Sequence, residues 1–150
     1  MQPLRLLLLA HLTATLLMTG IIWFVQVVHY RLFDGVGEAD SKRYAARHAR
    51  LTSLVVGPPM LVELATGALL AYHWPLYSPM IEGREAWAGL GLILFIWAST
   101  AVLQVPQHNA LGEGWNPRAH RKLLWTNWLR VVAWTLRSAL VLVWTARMMR

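Results

Sequence analysis

Four of the six histidines in this chain of 150 residues stand where apolar runs meet polar ones: His29, His48, His108 and His120. Neutral imidazole is a ligand for iron, copper or zinc, and rings drawn from separate helices can fix an open coordination sphere. Paired imidazoles can also hold a non-covalent haem, with an arginine meeting its propionates. A quinone-like aromatic asks for less: one or two donors for its carbonyl oxygens, and aromatic walls. Gln26, Gln104 and Asn127 are suited to orient such rings or to contact a cofactor. Glu63 is a candidate proton acceptor or counter-ion, Arg130 an anchor for an anionic group, and Trp128 (with Trp125) a pocket wall. Neither HxxxH nor ExxH occurs in the chain, so the metal version rests on topology and not on a local ligand motif.

These side chains need a scaffold, and the composition restricts which one. The chain is 57% hydrophobic and 14% charged, while soluble domains carry about 25% charged residues. With no cysteine, disulfides, thiolate metal sites, iron–sulfur clusters and covalent c-type haem are excluded. The net charge of +7 comes from basic residues that flank apolar runs, a pattern that fits lipid headgroups and topology determinants and not nucleic acid. Nine tryptophans point to the same water–lipid boundary.

Four apolar runs are long enough to cross a hydrocarbon core, at about residues 6–28, 51–72, 87–105 and 123–145. The first is read as a membrane helix and not a signal peptide, because IIWFVQVV continues it without a cleavage site. Asp34–Asp40 reads as a loop, with Ser41 capping a second helix whose basic first turns lie among headgroups. Pro58 and Pro59 predict a kink in that helix and free backbone carbonyls. His73–Glu85 is the second connection. Pro106 bends or ends the third crossing, and Asn116-Pro117 starts the fourth. The sequence thus predicts an all-α, four-helix transmembrane bundle of up-down topology over residues 1–150, a single integral membrane domain.

Up-down topology gathers His29, His48, His108 and His120 at one membrane face, each from a different helix. At roughly 100° per residue, His120, Asn127 and Trp134 share a stripe, with Arg130 and Arg137 beside it. Gln26 with His29, and Gln104 with His108, are spaced to share faces. One pocket lined by Gln26, His29, His48, Glu63, Gln104, His108, His120, Asn127 and Arg130 follows. The plainer readings stand beside it. Boundary histidines are often only interfacial polar groups. Arg47, Arg50, Arg121 and Lys122 are boundary charges. Glu63 and Arg130 can form a structural ion pair, and Arg137 can snorkel or pair locally. His11 reads as a core histidine bonded to a neighbour, and His73 as a loop residue.

The odd-numbered loops carry Arg31, Lys42, Arg43, Arg47, Arg50, Arg118, Arg121 and Lys122, against Arg5, Arg84, Arg147 and Arg150 on the other side. The positive-inside rule then puts the odd-numbered loops in the cytoplasm of a bacterial inner-membrane protein. The segments VQVVHYRLF, YAARHARLTSLVVGPPMLVELATG, LQVPQHNAL and AHRKLLWTNWLRVVAWTLR resemble a group of bacterial four-helix membrane proteins similar in layout to the anthrone-oxygenase-like domain. The likeness covers most of the chain and implies oxidation of a polycyclic phenolic substrate in or near the bilayer. It brings no catalytic residues with it. The expected function is redox-type binding of a metal, haem or quinone-like aromatic by a protein embedded in lipid, alone, as a homo-oligomer or in a larger complex. The alternatives are a non-enzymatic accessory subunit, whose polar interior only secures helix register, and a small-solute carrier.

Overall fold

A computed structural model describes residues 2–78 and 80–149. Pro79, and Arg150 of the basic residues counted above, lie outside the described residues. The four spans that are long and apolar enough to cross a membrane are Arg5–Gly35, Glu38–Tyr72, Gly83–Glu113 and Pro117–Met148. They form a four-helix transmembrane bundle, with no strand among the described residues. Helix α1 runs Gln2–Phe24 and continues through a π turn, Val25–His29, and a 3-10 end, Tyr30–Gly35. Helix α2 is Glu38–Tyr72. Helix α3 is Gly83–Ser99, a π turn at Thr100–Gln104, and Val105–Glu113. Helix α4 is Pro117–Met148. α1 and α3 each pack on α2 and on α4, so the four stand at the corners of a square with α2 and α4 on one diagonal.

Local chemistry explains most boundaries. Asn116 Oδ1 accepts from the N–H groups of Arg118 and Ala119, so the expected cap forms and Pro117 takes the first helical position. Glu82 and Glu85 close a capping box at the start of α3. Two expectations change. The Asp34–Asp40 loop shrinks because Asp34 ends α1 in a 3-10 turn and α2 already begins at Glu38. Ser41 is therefore not the cap: Gly37 holds that position, and the Ser41 hydroxyl donates to the Glu38 carbonyl. Pro106 does not end α3. The preceding π turn re-pairs the backbone, with the Val105 N–H bonding the Thr100 carbonyl, and the helix continues. Pro58 and Pro59 likewise sit inside a continuous α2.

Eight of the twelve buried residues of α4 form one seam: His120, Asn127, Trp134 and Val141 alternate with Leu123, Arg130, Arg137 and Trp144. Steps of three and four residues keep one stripe facing the interior. The interior is consequently layered. Leu8, Leu70, Ile81, Val141 and Trp144 pack at the end near the termini. Met18, Ile22, Met60, Ile96 and Trp134 fill the middle. Tyr30, Phe33, Ala45, Leu111 and Leu123 close the end beneath the odd-numbered loops. Polar residues occupy the two levels between them.

The lower polar level is centred on Glu63. Its Oε1 accepts from Arg137 Nε at 2.8 Å and Thr15 Oγ1 at 2.9 Å, and its Oε2 from Trp134 Nε1 at 2.9 Å. Arg137 also donates to the Gly89 carbonyl and to His11 Nε2. That leaves His11 Nδ1–H for Thr66 Oγ1, 2.7 Å away, and the Thr66 hydroxyl donates to the Val62 carbonyl. The ion pair expected between Glu63 and Arg130 is thus formed with Arg137 instead. Glu63 stands nine residues from the end of α2 and Arg137 eleven from the end of α4, whereas Arg130 is eighteen away. Matched depth decides the partner. Glu63→Leu should lower the free energy of unfolding in micelles by about 3–5 kcal/mol, because it strands a buried cation. Glu63→Leu combined with Arg137→Leu should recover most of that loss in a denaturant titration. A single variant as stable as the wild type would remove this pair from its structural role.

Candidate functional site

The upper polar level lies between the middle layer and the odd-loop end. It is reached by two π turns, and π turns concentrate at functional positions. In α1 the turn parts two residues that were expected to share a face. Gln26 swings toward α4, donating to the Leu124 carbonyl and accepting from Asn127 Nδ2 at 2.7 Å. His29 swings toward α2, where its Nε2 meets His48 Nδ1 at 2.8 Å. The wider i→i+5 turn advances each residue by less than 100°, which opens the angle between positions three apart.

Three of the four boundary histidines converge. His48 lies between His29 and His108, with ring centroids 4.6 Å and 5.4 Å away. His120 does not join them. Its Nε2 bonds the Tyr30 carbonyl at 2.7 Å, at the start of the 3-10 end of α1, and its ring stacks on Phe33. Trp128 meets Trp23 edge-on and lines a separate outer cleft with Gln26, Arg31 and His120. Glu63 belongs to the lower level. The single pocket read from the sequence is therefore two levels and an outer cleft.

Arg130 is the centre of the upper level. It is buried, and no Asp or Glu pairs with it among the described residues. Its Nε and Nη2 both donate to Asn127 Oδ1, its Nη1 donates to Thr100 Oγ1 at 3.2 Å, and its Nη2 reaches the Tyr30 hydroxyl at 3.5 Å. Guanidinium can only donate. The Tyr30 oxygen therefore accepts from Arg130, which leaves its single O–H free to donate to His108 Nε2, 2.9 Å away. In that arrangement His108 carries its own proton on Nδ1. Tyr30 and Thr100 were missed in the sequence, although Tyr30 adjoins His29 and Thr100 stands one helical turn before Gln104.

Arg130, Tyr30, His48, Gln104 and His108 line one chamber of about 240 Å³, walled below by Met18, Ile22, Met60 and Trp134. Buried side-chain atoms without a partner are rare in folded proteins. Four occur among the described residues, and three belong to this chamber: His48 Nε2, His108 Nδ1 and Gln104 Oε1. The polar groups thus presented are a donor on His108, an acceptor on Gln104 and a spare Arg130 N–H. His48 Nε2 is a donor when His29 donates to Nδ1, and an acceptor when His48 donates instead. Shifting that one proton links half-buried His29 to the chamber.

A metal centre does not assemble from the four histidines. No group of three or more His, Asp or Glu is arranged to hold an ion among the described residues. The two unpartnered ring nitrogens of the chamber, His48 Nε2 and His108 Nδ1, stand close to the Arg130 cation, which repels a divalent ion. In ¹⁵N-histidine NMR, His108 should show the Nδ1–H tautomer, and Tyr30→Phe should move it toward Nε2–H. A wild-type His108 already protonated on Nε2 would contradict the Arg130–Tyr30–His108 order. Comparison of the chain with family models, curated proteins and solved structures finds no match to any of them.

Proposed function

We propose that this membrane protein binds a quinone-like aromatic in the upper chamber and hydrogen-bonds its oxygens through Arg130, His108 and the His29–His48 pair. The observation that carries this reading is Arg130. A buried cation among neutral acceptors at membrane depth is costly, and an oxygen bearing partial or full negative charge would offset that cost. A carbonyl or phenolic oxygen on a flat ring brings that charge and also fits apolar walls of Met18, Ile22 and Met60. The donors and acceptors left over around the chamber number few and converge, as ligand sites require. The layout resemblance adds polycyclic phenols, which have the same flat ring and oxygen pattern. The basic flanks favour a cytoplasmic position for this level in a bacterial inner membrane.

A structural reading is favoured for the lower level alone, where both Glu63 oxygens, His11 and the Arg137 guanidinium find protein partners. It leaves the unpartnered atoms of the upper level without a reason. A solute carrier would need a polar route through the middle layer, which Met18, Met60, Ile96 and Trp134 fill.

In nanodiscs, a tail-less substituted benzoquinone is expected to bind saturably and to raise the melting temperature. Arg130→Gln should weaken binding by about 10–100-fold, the range for losing a hydrogen bond from a charged donor. His73→Gln, in the exposed loop, should leave it unchanged. A wild-type protein that takes up no benzoquinone by calorimetry would end the proposal in favour of an accessory subunit.

A further inference from the structure

Resting on that reading, we infer that the ligand carries a long hydrocarbon tail, which lies in a lateral groove between α1 and α2 while the ring occupies the chamber. The groove encloses about 850 Å³ and is walled by Leu16, Leu17, Phe24, Leu51 and Val55. It adjoins the chamber, since Ile21, Val25, His48, Thr52 and Val56 line both. At its odd-loop end stand Tyr44, Arg47 and His29. From His29 to Leu16 it descends roughly 20 Å along α1.

Volume argues for a divided ligand. The chamber's 240 Å³ falls below the roughly 300–1,000 Å³ of complete ligand sites. A ring fits there, and a substituent must leave through an opening. The groove is that opening, and it faces bilayer hydrocarbon. Gly20 keeps it clear, since a Cβ at that position meets nothing within 4 Å. A tail gains little by moving from lipid into an equally apolar groove. The groove therefore acts sterically: it lets the ring reach Arg130 with the tail still lying among acyl chains. A tailed quinone would enter sideways from the membrane and not through the loops.

The test compares one benzoquinone head with and without a ten-carbon tail, on wild type, Gly20→Trp and Leu51→Trp in nanodiscs of one lipid composition. Taking each variant-to-wild-type ratio of apparent Kd cancels the partitioning of the tailed compound into lipid. Both groove variants should weaken the tailed ligand about tenfold and leave the tail-less one within about twofold. Retained tail-less binding also shows that the variants fold. An equal loss for both ligands, or no change for either, overturns the groove and leaves the chamber standing, since wild type and Arg130→Gln still differ. If wild type binds neither compound, the chamber reading fails and this inference falls with it. Tailed ligand bound equally well by all three proteins would mean that the groove holds only bilayer lipid.

Discussion

Two arginines one heptad apart on α4 meet the same problem, a positive charge roughly 10 Å from its twin along a helix crossing hydrocarbon. Their solutions differ. Arg137 has a carboxylate from the diagonal helix, a backbone carbonyl from α3 and an imidazole from α1. Arg130 has an amide oxygen one turn back on its own helix and two hydroxyls. The first arrangement neutralises the charge; the second only directs it. Neutral dipoles orient the guanidinium without cancelling its field. In a low-dielectric interior such a field acts strongly on any oxygen brought near it, and little needs to reorganise when that oxygen arrives. The same seam thus yields a closed joint at one level and an open one at the next.

The layered interior follows from that division. Polar side chains at membrane depth must be satisfied within the bundle, so each polar level is held between apolar layers that exclude lipid and fix rotamers. Trp134 belongs to both neighbours: its ring packs in the middle layer, forming the chamber floor, while its N–H donates to Glu63. The ring that shapes the chamber is thereby tied to the ion pair below it.

Much of this was legible in the sequence because hydrophobic length and helical spacing are local properties. The crossings, the Asn116 cap, the α4 stripe and the meeting of His29, His48 and His108 all follow from them. Partner choice across the bundle was not. Glu63 was matched to Arg130 by counting in from the odd-loop face, but the long interfacial start of α2 makes that count misleading. His120 was placed with the other rings because nothing in the sequence shows that α1 ends in a 3-10 turn with a carbonyl to offer. His11 is the core histidine bonded to a neighbour that the sequence predicts, although the sequence does not name the partners. Its partners, Thr66 and Arg137, come from two other helices.

The π turns are the part that no periodicity displayed, and the site depends on them. Each inserts one residue into a helix that lies in hydrocarbon, where disturbed backbone pairing has no water to repair it. In α3 the cause is local: Pro106 has no N–H to give and would clash with the carbonyl four residues back, and the extra residue relieves both. α1 has no proline near Val25–His29, so its turn must be held by what it places. It sets Gln26 against Asn127, which in turn holds Arg130, and it sets His29 against His48. A straight α1 could make one of those contacts or the other, because positions three apart would then share a face. The distortion and the polar cluster therefore stabilise each other. An irregular turn in an otherwise unbroken apolar helix is where the cost of building this chamber was met.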